Sequence, residues 1–371
     1  MTEVRFLPAY GHSMWRSCQR AAVPTCIDAA RRGTVVYYPH GLLSYHYWKK
    51  IKLSTEWRDA GFMFGDSGGF SIRTEGAVID AARVLRWQAA VCTAGCLLDV
   101  PTKDQYERPC WAVGLAKTCA HTAHVLPLYE KLLRADTAFR WWGVLHGNFG
   151  PQLVGWWNKI SAIYPFSEQG EGWAVRPEPT ITHYTLAHML QFLKQRRVRR
   201  AHFLAATAIK SAATIAVLSE EVGLEFASFD SASAAIASGN RQIMVPTADG
   251  VAWTLLKEKT RTGKTHDDQW RMREYLWNHC ACGFCAELRG CYPTIALVTD
   301  MAWVVYSFLH NLFIQIRTFN AHGAAIAAGD GHALLRTLLG HEDYFKVMRA
   351  FAGKLGQAAD AGAPRSLLDF L

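Results

Sequence analysis

Short apolar runs alternate along most of the chain with longer segments that can form helices. Runs of this length that are apolar throughout are typical of strands buried on both faces of a parallel sheet. The predicted strands are residues 34–38, 61–64, 95–98, 141–145, 173–175, 202–205 and 224–229. The segments between them predict helices at residues 76–90, 111–134, 153–163, 182–197 and 209–222. In the last of these, Ala212, Ile215 and Leu218 follow the helical period, and Gly223 stands where a C-cap glycine is common.

The order of these elements predicts the fold class. Strands that alternate with helices imply a parallel sheet and an α/β fold. Seven or eight such units within about 250 residues match a (β/α)8 TIM barrel better than a doubly wound sheet. The doubly wound alternative stays open, but no GxGxxG follows the first predicted strand to support a dinucleotide fold.

Four of the apolar runs end in a polar residue that can do chemistry. These residues are Asp66, Asp99, His146 and Asp230. In a barrel the C-terminal ends of the strands surround one pocket, so we expect the four side chains to converge there. The alternative for any single Asp is that it caps the helix that follows, because Asp is a good N-cap residue.

Composition and charge narrow the class of protein. Half of the residues are hydrophobic and 19% are charged, which is typical of a globular protein. The first residues lack the basic segment and apolar core of a secretory signal. The most apolar stretch, residues 295–316, contains Asp300, His310 and Gln315, which favours a buried helix over a membrane span. We therefore expect a cytoplasmic protein without a membrane partner, and the net charge of +9 favours a polyanionic partner.

One cysteine cluster has the spacing of a metal site. Cys280, Cys282 and Cys285 form C-x-C-x-x-C, and His310 follows on a segment with helical character. Three thiolates and one imidazole complete a tetrahedral shell for Zn²⁺, and a closed shell of this kind is structural. We expect one structural zinc ion per chain. The alternatives are three reduced cysteines in a loop, or Cys291 as the fourth ligand.

Several motifs, in the right order, resemble the queuine and archaeosine tRNA-guanine transglycosylases. The family's DSGGF string stands at residues 66–70 and the archaeal-type FDSAS string at 229–233. The sequence around Asp99 is similar to the family's second Asp motif, and GVLHG at 143–147 stands where the family has a strand ending in Gln-Gly. The Cys cluster with His310 matches the family's zinc ligands, which favours His310 over Cys291. The resemblance covers about residues 60–320.

The resemblance implies a domain organisation and a set of site residues. It implies a single barrel domain over residues 1–371, with a zinc-binding subdomain at 270–320 inside it and C-terminal helices at 321–371. Asp230 would be the catalytic nucleophile and Asp66 the general acid and base. The implied substrate-binding residues are Asp99, His146, Ser67, Gly68 and Gly69.

Three departures from the family pattern bear on the substrate. His146 replaces a Gln, and Arg176, Pro177 and Glu178 stand where the family has Gly-Gly-Leu. The RNA-binding extension of the archaeal members is also missing from this sequence. In these respects the sequence resembles the DpdA-type branch, whose members place 7-deazaguanine bases such as preQ0 into DNA. The expected activity is a pentosyltransferase that exchanges guanine in DNA for a free 7-deazaguanine base. The alternatives are a tRNA-guanine transglycosylase and a catalytically silent nucleic-acid-binding subunit.

Two basic clusters are candidates for contact with nucleic acid. The cluster favoured by the resemblance precedes the cysteine cluster and consists of Lys257, Lys259, Arg261 and Lys264. The second lies between residues 194 and 200. The alternative for each is a solvated surface, which is the usual role of a charge run. A homodimer or helper proteins are further possible partners.

Overall fold

Eight parallel strands form a nearly closed barrel in the computed structural model. The model describes residues 2–49, 56–101, 108–135, 138–147, 150–177, 182–206, 208–257 and 272–353. The strands are β1 Glu3–Pro8, β2 Gly41–Ser44, β3 Met63–Asp66, β4 Ala94–Cys96, β5 Arg140–Gly147, β6 Trp173–Pro177, β7 Arg200–Phe203 and β8 Phe226–Ser231. Consecutive strands from β2 to β8 pair in parallel, and β8 pairs with β1. An isolated bridge between Ala9, directly after β1, and Leu42 of β2 connects the two ends of the sheet. The predicted TIM-barrel class is confirmed.

Helices follow the strands and cover the outside of the barrel. Those of the barrel are His12–Arg20, Tyr45–Trp48, Glu56–Ala60, Gly69–Glu75, Ala81–Val91, Arg108–Arg134, Pro151–Ile163, His183–Gln195, Ile209–Val222 and Ser233–Gly239. A hairpin of β9 Gln242–Pro246 and β10 Trp253–Lys257 follows, and then helices at Gly283–Cys291, Asp300–Ala327, Gly331–Leu339 and His341–Ala352. The predicted helix at 209–222 is confirmed, and Gly223 after it has the left-handed φ of +83° expected of a C-cap.

The prediction for the first strand was wrong and the first two strands of the barrel were missed, whereas the predicted strand at 61–64 overlaps β3. Residues 34–38 form turns rather than a strand, and the Val35 side chain is 87% exposed. The strands at these positions of the barrel are β1 and β2 instead. In β1, Glu3 and Arg5 alternate with apolar residues, so the segment lacks the continuous apolar run that identified the others.

Aromatic side chains fill the barrel interior below the strand ends. Phe62 and Phe226 lie 4.7 Å apart between ring centroids, and Trp142 lies 6.0 Å from Phe226. The guanidinium of Arg5 lies 5.6 Å from the ring centroid of Phe226 and 5.7 Å from that of Phe62. One step higher, Phe64 packs against Trp142. In the described part of the chain the barrel interior is therefore a packed core, and in barrels of this kind the site lies at the C-terminal mouth.

The long helix Asp300–Ala327 connects the cysteine cluster to the barrel. It carries His310 near its middle, and Phe319 further along packs against Phe6 of β1 and Phe229 of β8, with centroids 4.7 and 5.0 Å apart. The helix crosses residue 320, where the zinc-binding subdomain was predicted to end. No helix within the described ranges is long and apolar enough to cross a membrane.

Candidate functional site

The mouth of the barrel collects three carboxyl groups from distant parts of the sequence. Asp66 is the last residue of β3, Asp99 follows β4, and Asp230 lies one residue before the end of β8. In the ring of strands, β1 and β2 separate β3 from β8, so Asp66 and Asp230 stand three strands apart around the mouth. The negative charges of Asp99 and Asp230 both raise the pKa of Asp66, so the three groups are within electrostatic reach of one another.

Asp66 has an environment that favours its protonated form. The pKa of Asp66 is raised from 3.8 to about 6. Burial is the largest cause, and the charges of Asp99 and Asp230 contribute to the same rise. A hydrogen bond from Ser44 on the neighbouring strand and one from the backbone N–H of Gly68, at 3.2 Å, partly oppose it. Asp66 can therefore hold or release a proton near neutral pH.

Asp99 is held in its charged form by two side chains. His146 Nε2 lies 2.7 Å from Asp99 Oδ2, and the Ser67 hydroxyl donates to Asp99 Oδ1 at 2.8 Å. Burial alone would raise the pKa of Asp99, but the hydrogen bonds from His146 and Ser67 lower it overall. Each carboxylate oxygen has a second lone pair, so Asp99 can still accept two further hydrogen bonds. His146 is fully buried, and its Nε2 contacts the Asp99 carboxylate.

The two glycines of the loop after Asp66 allow it to pack against the protein itself. Gly68 has a left-handed φ of +79°, and a side chain there would meet the backbone of His46 at 3.1 Å. A Cβ on Gly69 would lie 2.3 Å from the backbone oxygen of Asp99 and 2.6 Å from its Oδ1. The absence of side chains at these two glycines therefore allows a close approach to His46 and Asp99.

Asp230 is fixed through one carboxylate oxygen. The backbone N–H of Ala205 donates to Asp230 Oδ1 at 2.7 Å. His202 Nε2 on β7 lies 3.3 Å from the same oxygen. Ala205 has a positive φ of 57°, which is uncommon for a residue with a side chain and directs its N–H at the carboxylate. Asp230 retains 8% exposure.

An aromatic ring and a cation stand at the rim of the mouth. Phe70, which follows the two glycines, is 47% exposed. The guanidinium of Arg176, in the β6 segment that departs from the family pattern, lies 5.9 Å from the Phe70 ring centroid. Arg176 is the register partner of His146 in the parallel pair of β5 and β6. The exposed ring offers a flat ligand a stacking surface, and the guanidinium beside it carries hydrogen-bond donors.

A second site lies away from the mouth. The ligand atoms of Cys280, Cys282, Cys285 and His310 all lie within 4.8 Å of one another, and all four residues are buried. His310 Nδ1 is 3.3, 3.5 and 3.6 Å from the three sulfur atoms. In a tetrahedral zinc site with ordinary bond lengths this separation is about 3.6 Å. The four predicted ligands therefore form a cluster that can hold a metal ion.

Neighbouring groups orient the cluster. His310 Nε2 donates to the backbone oxygen of Met244 on β9 at 2.8 Å, which leaves Nδ1 to bind a metal. The backbone N–H groups of Cys282 and Cys285 point at the sulfur atoms of Cys280 and Cys282, at 3.5 and 3.4 Å. Arg289 donates to the backbone oxygen of Cys280 at 2.9 Å and so closes the loop.

The same helix connects the metal cluster to the segment after Asp230. Gln315, one turn beyond His310, donates from Nε2 to Ser233 Oγ at 2.6 Å. Ser233 in turn contacts Ser231 Oγ at 2.5 Å. The helix that carries His310 therefore also contacts the segment that follows Asp230.

The structure places the two basic clusters differently. Lys257 ends β10, whose partner β9 carries the carbonyl that fixes His310, whereas Lys259, Arg261 and Lys264 lie outside the described residues. The cluster at 194–200 lies where β7 begins, at the end of the barrel opposite the mouth. There Arg196 contacts the ring of Trp157 and Arg199 pairs with Glu225, so this cluster does not belong to the mouth.

Three site residues were missed by sequence reasoning. Ser44, His202 and Ala205 contact the carboxylates, yet they lie in strands or turns whose boundaries were placed incorrectly. The alternation of side chains along β7 and β8 was the available signal, since it puts His202 on the same face as Ser228 and Asp230.

Neither a known family model nor a curated protein matches this chain. The functional assignment therefore depends on the residues and their geometry.

Proposed function

We propose that this protein is a transglycosylase that exchanges guanine in DNA for a free 7-deazaguanine base of the preQ0 type. The observation that carries the proposal is the pair of carboxyl groups of Asp66 and Asp230, which stand three strands apart around one barrel mouth in different environments. The motifs shared with guanine transglycosylases support it.

The chemistry is a double displacement at the sugar carbon C1′. An oxygen of Asp230 attacks C1′ as the bond from C1′ to N9 of guanine breaks, which forms a glycosyl ester. Asp66 in its protonated form gives its proton to the leaving guanine. The incoming base then loses its N9 proton to Asp66 and displaces Asp230 from C1′. Two inversions return the sugar to its original configuration, and the enzyme ends in its starting state.

The environments of the two acids suit these roles. A pKa of about 6 lets Asp66 act as acid and then as base near neutral pH. Asp230 is held by hydrogen bonding to a backbone N–H, which suits a carboxylate that acts as an anion. The division of labour between two carboxyl groups is the pattern expected when their surroundings differ.

Asp99 is the group that recognises the base. Guanine and its 7-deaza relatives present adjacent N1–H and N2–H donors, and adenine has no such pair. The free lone pairs of Asp99 can accept both, while His146 and Ser67 keep the carboxylate charged and fixed. Arg176 and Phe70 add a donor and a stacking surface at the rim.

We assign one structural Zn²⁺ per chain to the Cys280, Cys282, Cys285 and His310 cluster. A shell of four protein ligands leaves no open position for a substrate, so the metal would hold the fold and take no part in base exchange. The basic charge of the chain and the position of Lys257 near this cluster support a nucleic acid as partner.

The test is release of labelled guanine from DNA and from tRNA, each incubated with enzyme and preQ0. The expected result is exchange in DNA by the wild type and none by Asp230→Ala, with equal zinc content and equal circular dichroism in both proteins. Exchange in tRNA alone would replace the DNA assignment with the tRNA one. Binding of nucleic acid without any exchange would favour the silent subunit.

A further inference from the structure

A histidine is buried in the centre of the barrel directly beneath the proposed nucleophile. His202 lies on β7 with no exposed surface, and its ring stacks on Phe64 with centroids 4.2 Å apart and an interplanar angle of 27°. We propose that His202 is a positioning residue that fixes the Asp230 carboxylate, so that Oδ1 is held and Oδ2 is presented to C1′. This inference rests on the proposed function, in which Asp230 attacks the sugar.

The contacts of the ring define which nitrogen faces the carboxylate. His202 Nδ1 lies 2.9 Å from Ser228 Oγ, two residues before Asp230 on β8. His202 Nε2 lies 3.3 Å from Asp230 Oδ1. If Ser228 donates its hydroxyl proton to Nδ1, the imidazole carries its own proton on Nε2, facing the carboxylate. Ser228 would then select the tautomer that Asp230 needs.

The position of Nε2 is hard to explain as simple core packing. Among the described residues this buried atom has no aligned hydrogen-bond partner, and its neighbour is the Asp230 carboxylate. Leaving a buried polar atom without a hydrogen bond is costly, and a purely structural aromatic ring would avoid that cost. Catalytic hydrogen bonds are often poorly aligned without substrate and tighten when it binds.

Two nitrogen atoms face one oxygen of the Asp230 carboxylate. The Ala205 N–H and the His202 ring both face Oδ1, so the two contacts together restrict rotation of the carboxylate about its last bond. Attack at C1′ requires an oxygen aligned opposite the leaving base, and small misplacements at this point cost about 100-fold in rate. The expected role of His202 is therefore on the chemical step and not on substrate binding.

The test combines kinetics with a matched set of variants. His202→Phe keeps the ring stacked on Phe64 but removes Nε2, and we expect kcat to fall about 10- to 100-fold with KM for the incoming base changed by less than about 2-fold. His202→Gln places an amide N–H where Nε2 was and should restore kcat to within about 3-fold of the wild type. His202→Asn, whose side-chain amide nitrogen matches the position of Nδ1 instead, should not restore kcat. His322→Phe, which removes a buried histidine bonded to the Val251 carbonyl, is the control for a general loss of stability.

Nitrogen NMR of the His202 ring decides the question without reference to activity. The expected spectrum has the proton on Nε2 in the wild type, and the Nε2 signal shifts in Asp230→Asn. A proton on Nδ1, or a kcat of His202→Phe equal to that of the wild type, overturns the inference. A wild type that exchanges no base in either nucleic acid overturns the proposed function, and the tautomer measurement still tests the contact.

Discussion

Replacing Asp66 with Asn should make the protein more stable and inactive at the same time. The reason is the raised pKa of Asp66, which burial and two neighbouring carboxylates increase from 3.8 to about 6. A carboxyl group whose pKa is raised by folding binds its proton more tightly in the folded state. Its contribution to stability is fully present below pH 3.8 and is lost as the pH rises through 6. Above that pH the folded protein carries a charge that its surroundings disfavour, and Asn removes it.

The size of the effect follows from the pKa. One pKa unit corresponds to 1.36 kcal/mol, so a rise from 3.8 to about 6 corresponds to a ceiling of about 3 kcal/mol above pH 7. Part of the Asp66 side chain remains open to solvent, which screens the neighbouring charges and reduces the gain. We expect the free energy of unfolding of Asp66→Asn to exceed that of the wild type by about 1–2 kcal/mol at pH 8. Near pH 4 the two values should be equal.

The assay is urea unfolding at a series of pH values, together with the exchange reaction. Glu171→Gln is a matched control, because Glu171 is also a carboxyl group whose pKa is raised, to about 7. Burial is the main cause, and the hydrogen bond from Tyr129 opposes it only in part. Glu171 precedes β6 and so lies at the end of the barrel opposite the mouth. Glu171→Gln should also gain stability above pH 7 but keep full exchange activity. Asp66→Asn should lose more than about 1000-fold in activity, since it can neither give nor take a proton. In the wild type, release of guanine should decline as the pH rises above about 6.

Equal stability of Asp66→Asn and the wild type across this pH range would refute the claim that the mouth disfavours a charge at this position. Retained exchange activity in the same variant would refute the role of Asp66 as acid and base.

Three further predictions test other parts of the site. Cys285→Ser should bind less than one zinc ion per chain by metal analysis and lower the free energy of unfolding by several kcal/mol, because a buried metal shell loses a ligand. Asp99→Asn should raise KM for the incoming base by about 10- to 100-fold, since it loses charged hydrogen bonds worth about 1.5–3 kcal/mol. Full affinity in steady-state kinetics would exclude Asp99 from recognition. Gly69→Ala should destabilise the protein by about 1–3 kcal/mol, because its Cβ meets Asp99, whereas Gly290→Ala, which meets nothing within 4 Å, should be neutral in thermal unfolding.

The parts of the fold that were predicted correctly are marked by patterns within short stretches of sequence. β5 contains a continuous apolar run because both its faces are buried, and the candidate ligands Cys280, Cys282 and Cys285 lie within six residues of one another. Asp66 and Asp230 were found because each ends such a run, and parallel strands in a barrel end on the same side.

The parts that were missed depend on contacts between distant residues. β1 carries Glu3 and Arg5, and the guanidinium of Arg5 pairs with Glu3 and lies over the rings of Phe62 and Phe226. The strand with His202 was placed at 202–205 but runs over Arg200–Phe203, because Ala205 adopts a left-handed conformation that its own residue type does not favour. Local pattern cannot show either effect, since each is stabilised by tertiary packing.

The most direct test of the central claim is detection of a covalent intermediate on Asp230. Enzyme is mixed with guanine-containing DNA in the absence of an incoming base, denatured, digested with nuclease and protease, and analysed by mass spectrometry. The account predicts that the peptide containing Asp230 carries the sugar from which guanine was released, and that Asp230→Asn carries none. Guanine release without an adduct, or an adduct on a different residue, would contradict it.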